Sequence, residues 1–133
     1  METFEHLRRA DTVLLSTRRR NGTTVDTPVN LAVDEHGDGY FRTWSSSGKA
    51  RRLRNFPGVR VAPCSVTGRP QGSDQPAVAS LLAGPDIEVA RAVLIHRFPW
   101  THGRLAPLVD RVRHRQIVYY RLAPAEDPTP WHG

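Results

Sequence analysis

Between Asp11 and Val66 apolar residues recur at every second position, the period of a strand with one buried face. Val13 and Leu15 alternate with Leu14 and Ser16 in a first strand, which runs into Arg18-Arg19-Arg20 and the pair Asn21-Gly22. Asn-Gly between two extended runs predicts a tight hairpin of the type I′ class, because both residues tolerate positive φ. The second strand places Val25, Thr27, Val29, Leu31 and Val33 on one face and Thr24, Asp26, Pro28, Asn30 and Asp34 on the other. Pro28 donates no ladder hydrogen bond, so its strand is expected at an edge, at a bulge or beside a ligand. HGDG at 36–39 predicts a turn into a short strand over 40–44, and Val59, Val61 and Val66 mark a fourth strand. The apolar stretch 77–83 predicts a fifth.

The period changes twice to that of a helix. Over 48–56, Ala50, Leu53 and Phe56 share one face and Arg51, Arg52, Arg54 and Asn55 the other, with Pro57-Gly58 as the stop. After Gly84-Pro85-Asp86, the positions Ile87, Ala90, Leu94 and Phe98 recur at helical spacing, and Leu105, Leu108, Val109 and Val112 form a similar stripe. These stripes read as packing faces. QIVYYRL at 116–122 closes the pattern as a strand, before an irregular tail. There is no internal repeat and no linker, so residues 1–133 are expected to form one mainly β domain, an antiparallel barrel or sheet with a few peripheral helices.

Charge changes the picture more than composition does. With 19 Lys and Arg against 13 Asp and Glu, the formal charge of +6 favours an anionic partner: nucleic acid, a membrane surface or a small phosphorylated ligand. Cys64 is the single cysteine, which excludes a disulfide framework and a cysteine zinc cluster and fits a cytoplasmic location. No apolar run approaches the roughly 20 residues that span a bilayer, so no membrane partner is expected.

The candidate chemistry lies in TWSSSGKARR, 43–52, where a strand leaves through three serines into a basic helix. The first amides of a helix lack helical partners and carry the positive end of its dipole, so an anion at Ser47, Gly48 and Lys49 would be stabilised. Two plainer roles are open: Ser47 as the helix cap, and Arg51, Arg52 and Arg54 as a solvated face. A nucleotide P-loop is excluded, because Thr43 stands where its leading glycine belongs and Ala50 where its Ser/Thr belongs. No helix-turn-helix, RRM or zinc-finger pattern accompanies the basic stretch, so nucleic acid is not expected. The six histidines show no metal-ligand spacing, and no metal is expected. Cys64 reads as a small strand residue, and Trp44 and Trp100 as packing residues.

VLLSTRRRNGTTVDTPV (13–29), YFRT, SGKARRLRNFPGVRVAPCSVTGRPQG (47–72) and IVYYRLAP (117–124) stand in an order that resembles the flavin-binding split-barrel superfamily of pyridoxamine 5′-phosphate oxidase. Within it the chain is most similar to the class that uses the deazaflavin coenzyme F420. The resemblance implies a split β-barrel of the FMN-binding type, built as a homodimer with cofactor sites between its chains. It implies hydride transfer from the reduced deazaflavin to a small organic acceptor; an FMN-binding oxidoreductase and a non-catalytic cofactor carrier are the alternatives. In that family a lysine, followed four residues later by leucine and then by Asn/Asp-Pro, supplies the cofactor phosphate site. Lys49 and Leu53 match, while Phe56 separates Asn55 from Pro57. By the same resemblance Lys49, Arg51 and Arg52 pair the phosphate, other basic residues meet the acidic tail, and Thr27, Pro28 and Val29 run beside the ring. Thr43 and Ser45 to Ser47 offer hydroxyls to the cofactor, and Gly48 belongs to the same cofactor site. No residue stands out as a general acid.

Overall fold

A computed structural model describes residues 4–99 and 116–125. Seven strands form one antiparallel sheet: β1 (Thr12–Arg18), β2 (Thr24–Asn30), β3 (Ala32–Val33), β4 (Gly39–Trp44), β5 (Gly58–Cys64), β6 (Gln75–Leu81) and β7 (Ile117–Pro124). Their order is β2-β1-β5-β6-β7-β4-β3. A 3-10 turn over Glu5–Leu7 precedes the sheet, and among the described residues two helices, α1 (Gly48–Asn55) and α2 (Pro85–Arg97), pack against it.

The curvature of the sheet follows from one residue. β2 and β3 are its two opposite edges, yet only Leu31 separates them in the chain. Asn30 and Ala32 therefore lie within about 7 Å of each other. A flat sheet with strands ~4.8 Å apart would hold those edges roughly 29 Å apart. The sheet has to curl on itself, which makes a split barrel of the mainly β class that the pattern implies.

The single second strand of the sequence analysis is thus two strands on opposite edges. The alternation nevertheless runs unbroken through the switch: Val29, Leu31 and Val33 all belong to the interior cluster, while Ala32 faces the other way. Pro28 lies on the edge strand, where its missing N–H breaks no ladder. The interior also takes Val13 and Leu15 from β1 and the stacked rings of Phe41 and Tyr120, whose centroids are 5.2 Å apart.

Other expectations need correction. The β1–β2 hairpin pairs Arg18 with Thr24, and Arg19 N–H donates to Thr23 O at 2.8 Å, so the tip is the longer Arg20-Asn21-Gly22 rather than a two-residue turn. Gly22, at φ 91°, supplies the left-handed residue. Val66 is not in a strand: it stands 81% exposed in a turn, because Ser65 N–H donates to Arg69 O and Gly68 N–H to Ser65 O. The strand expected over 77–83 spans Gln75–Leu81, and the closing strand extends to Pro124.

The helix signals hold. Pro85 opens α2, Asp86 and Glu88 sit in its first turn and His96 and Arg97 in its last, which suits the dipole. Ala90 and Leu94 bury against Ala32, Tyr40 and Tyr119 on the outer face of the sheet, with Ile87 and Phe98 half-buried beside them. The stripe of Leu105, Leu108, Val109 and Val112 and the tail after Ala125 lie outside the described residues.

Candidate functional site

β4 ends at Trp44, and Ser47 N–H turns back to Trp44 O at 3.0 Å. Ser47 then adopts an extended conformation (φ −70°, ψ 156°), and its hydroxyl accepts from Ala50 N–H at 3.0 Å. Ser47 is thus the helix cap, the plainer of its two roles. Its Oγ also lies 3.1 Å from Thr43 Oγ1, so one of the two hydroxyl protons is used inside the protein.

α1 buries Ala50 and Leu53 and leaves Arg51, Arg54 and Asn55 exposed. Lys49 and Arg52 are half-buried. Burial, and then the nearby Arg52 charge, hold the Lys49 ammonium below its ordinary pKa. Burial also lowers Arg52, followed by repulsion from Arg19 and Arg51. The hairpin tip faces α1, for Arg18, Arg19 and Arg20 share one groove with Arg51, Arg52 and Arg54.

Between them lies an open groove of about 490 Å³, lined by Arg18, Arg19, Arg20, Gly48, Arg51, Arg52, Arg54 and Asn55. Among the described residues six of the eight that line it are arginines and none is acidic, so no described lining residue neutralises them. Arg18 lies 5.3 Å over the Phe56 ring, and its Nε is buried without a hydrogen-bond partner. A buried donor left unpaired is costly, and a bound anion would satisfy it. Arg52 reaches in the other direction, its Nε donating to Thr17 Oγ1 at 2.6 Å.

This donor set suits a ligand with more than one anionic group. It offers arginine forks for oxyanions and no group that gives up a proton near neutral pH. The groove is therefore equipped to bind rather than to transfer protons. Tyr40, whose pKa is pushed up to about 12 by burial and then by Asp34, lies on the other side of the sheet, with α2. Burial pushes the Cys64 thiol up, away from thiolate chemistry. Among the described residues no group of three or more His, Cys, Asp or Glu stands together to hold a metal. No described helix is long and apolar enough to cross a membrane.

Of the residues singled out in the sequence, Gly48, Arg51 and Arg52 line the groove. Thr43, Ser45, Ser47 and Lys49 cluster where β4 leads into α1, beside it. Thr27, Pro28 and Val29 lie on the edge strand, with Pro28 roughly 13 Å along β2 from Thr24 at the hairpin end. The Pro28 ring is close against Gly68: a Cβ added there would stand 3.1 Å from Pro28 Cγ. The sequence reading missed Arg18, Arg19, Arg20 and Arg54 as groove residues. The signal was the arginine triplet ahead of Asn-Gly, which only the packing of α1 on β1 converts into a second wall. Trp100 lies outside the described residues.

No family model and no curated protein sequence matches the chain. Solved structures do match. The heme storage protein HutZ from Vibrio cholerae superposes with a TM-score of 0.67 at 17% identity, covering 95% of this chain and 93% of that one. A putative pyridoxamine 5′-phosphate oxidase from Listeria innocua gives 0.62 at 17% identity, over 90% and 88%. An F420 reductase gives 0.60 at 20% identity, over 95% of each chain. A protein of unknown function from Agrobacterium tumefaciens also matches, with a TM-score of 0.70 at 19% identity over 90% of this chain, which spans only 51% of it. At these identities the likeness is one of fold, and the fold is the split barrel of pyridoxamine 5′-phosphate oxidase-like proteins.

Proposed function

We propose that this protein is an oxidoreductase that uses coenzyme F420, acting as a homodimer on a small organic acceptor. The groove carries the reading: six arginines from two elements face one another with no carboxylate in the lining, where a phosphodiester followed by an acidic tail is the complementary shape of charge. The fold shared with an F420 reductase and the resemblance of 47–72 support it.

In this reading Arg51, Arg52 and Lys49 hold the phosphate, and Arg18, Arg19, Arg20 and Arg54 meet the tail. Thr27, Pro28 and Val29 run beside the ring. When bound, the deazaflavin supplies the hydride, and the chain orients it and excludes water. No described groove residue donates the proton, so the acceptor takes it from water or from an unassigned hydroxyl. Val78, Leu81 and Val89 stand 42%, 57% and 50% exposed on β6 and α2, apolar surface of the kind a second copy covers.

Titration with reduced F420 and with FMN tests the reading. Tighter binding of the deazaflavin supports it. FMN binding as tightly or more tightly overturns the choice of cofactor. Turnover of the reduced deazaflavin with any acceptor separates an enzyme from a carrier. Sedimentation showing a stable monomer that binds cofactor tightly overturns the dimer.

A further inference from the structure

We infer that Thr17 and Gly48 are positioning residues of the arginine groove: they lock the Arg52 guanidinium so that its two terminal nitrogens are presented to an anion of the phosphate class. The inference deepens the reading above, resting on it only in taking the groove as an anion site.

Arginine carries one of the largest rotamer entropies of any side chain, and an exposed one seldom keeps a single geometry. Arg52 is held from two sides. Its Nε donates to Thr17 Oγ1 at 2.6 Å, and the Thr17 hydroxyl in turn donates to Val25 O at 3.4 Å. Thr17 is 0% exposed, so its hydroxyl is reachable by Arg52 and by no ligand. On the other side Gly48 leaves the guanidinium its room, since an added Cβ would stand 2.8 Å from Arg52 Nη1. Any residue but glycine there displaces the fork.

The hold works against the local field. Arg52 sits where Arg19 and Arg51 repel it, a position a free guanidinium would leave. Among the described residues its terminal nitrogens have no hydrogen-bond partner, and they belong to a residue lining the groove. A fixed planar fork surrounded by like charge loses little entropy on binding a bidentate oxyanion, and the anion relieves the repulsion. The hydroxyl of Thr17 thus sets the affinity of a ligand that it does not touch.

Calorimetric titration of inorganic pyrophosphate into the full chain tests this, with Thr17→Val, Thr17→Ser, Gly48→Ala and the Thr17→Val/Gly48→Ala double variant. Thr17→Val keeps the shape and removes the acceptor, so it should weaken pyrophosphate about tenfold with the thermal midpoint nearly unchanged. Thr17→Ser should stay within about twofold of wild type. Gly48→Ala should lose about as much as Thr17→Val, and the double variant little more, because both act through Arg52. Wild-type affinity in Thr17→Val, an equal loss in Thr17→Ser, or additive losses in the double variant would overturn the inference, as would a wild type that binds no pyrophosphate. Should Thr17→Val not fold, Gly48→Ala decides by itself: unchanged affinity overturns the inference and a tenfold loss supports it. Failure of F420 to bind a protein whose pyrophosphate affinity still depends on Thr17 overturns the proposed cofactor and leaves the positioning role standing.

Discussion

Arginine does opposite work at the two ends of this molecule. On α2 each arginine has an acidic partner: Arg91 bonds Glu88 at 2.9 Å and lies 5.7 Å over the Tyr119 ring, and Arg97 pairs with Asp11. The Glu88 pair lies within the helix, while the Tyr119 ring and Asp11 tie it to the rest of the fold, above an apolar patch of Ala90, Leu94, Tyr40 and Tyr119. At the other end Arg18, Arg19, Arg20, Arg51, Arg52 and Arg54 share one groove, and among the described residues none of them has a salt bridge. Like charges packed together cost stability, and a bound anion would offset that cost. The difference separates arginines paired within the fold from arginines left to the proposed ligand, within a single residue type.

The contrast breaks most visibly if the α2 side proves dispensable. Leu94 is fully buried, and Leu94→Ala should cost about 2–5 kcal/mol of stability, read by denaturant unfolding. The protein that remains folded should still bind pyrophosphate as wild type does. A loss below about 1 kcal/mol, or a parallel loss of anion affinity, would dissolve the distinction between the two regions.

At the groove end the signs reverse. If Lys49 holds the cofactor phosphate as proposed, Lys49→Ala removes a charge-assisted contact of about 1.5–3 kcal/mol, so F420 affinity should fall roughly ten- to a hundredfold while stability barely moves. A dissociation constant unchanged at low salt would remove Lys49 from the phosphate site.

The depressed pKa of Lys49 sharpens the point through pH. A buried ammonium loses its proton below its ordinary range, and a bound anion pulls that pKa back up. Binding therefore takes up protons, and affinity should decline as pH rises through the range below the ordinary lysine pKa of about 10.4. Without ligand the sign is the same as for any depressed group: the unfolded chain binds the extra proton, so Lys49 contributes stability as pH rises through that window. Lys49→Arg should flatten the affinity profile. An equally steep profile in that variant would assign the titration elsewhere.

The smallest effect belongs to Arg54, exposed and surrounded by like charge. Arg54→Ala should change stability by less than about 0.5 kcal/mol, and in the stabilising direction, because repulsion is relieved. Clear destabilisation would mean that Arg54 has structural work like that of the α2 arginines.

Much of this was legible without coordinates, because strands and helices write their periods locally. The alternation at Val13, Leu15, Val29 and Leu31, the Pro-opened α2 and the Ser47 entry to α1 each depend on neighbours a few residues away. The groove was half legible: Gly48, Arg51 and Arg52 lie on the helix that the serines announce. Arg18, Arg19 and Arg20, some thirty residues earlier in the numbering, were seen only as a basic hairpin tip.

The sequence by itself determined the periods, the faces and the excess of positive charge. Tertiary structure decided which edges meet and which charges share a space. Leu31 reads as one more residue of a long strand, because its interior-facing parity survives the switch from one sheet edge to the other. Val66 reads as a strand residue until the hydrogen bonds of its turn expose it. Gly48 reads as a helix-opening glycine, while its close contact is to a guanidinium anchored on Thr17, 35 residues from Arg52. Local rules fix backbone conformation over a few residues, whereas strand order and the neighbours of a long charged side chain are set by contacts between distant segments, which no local period records.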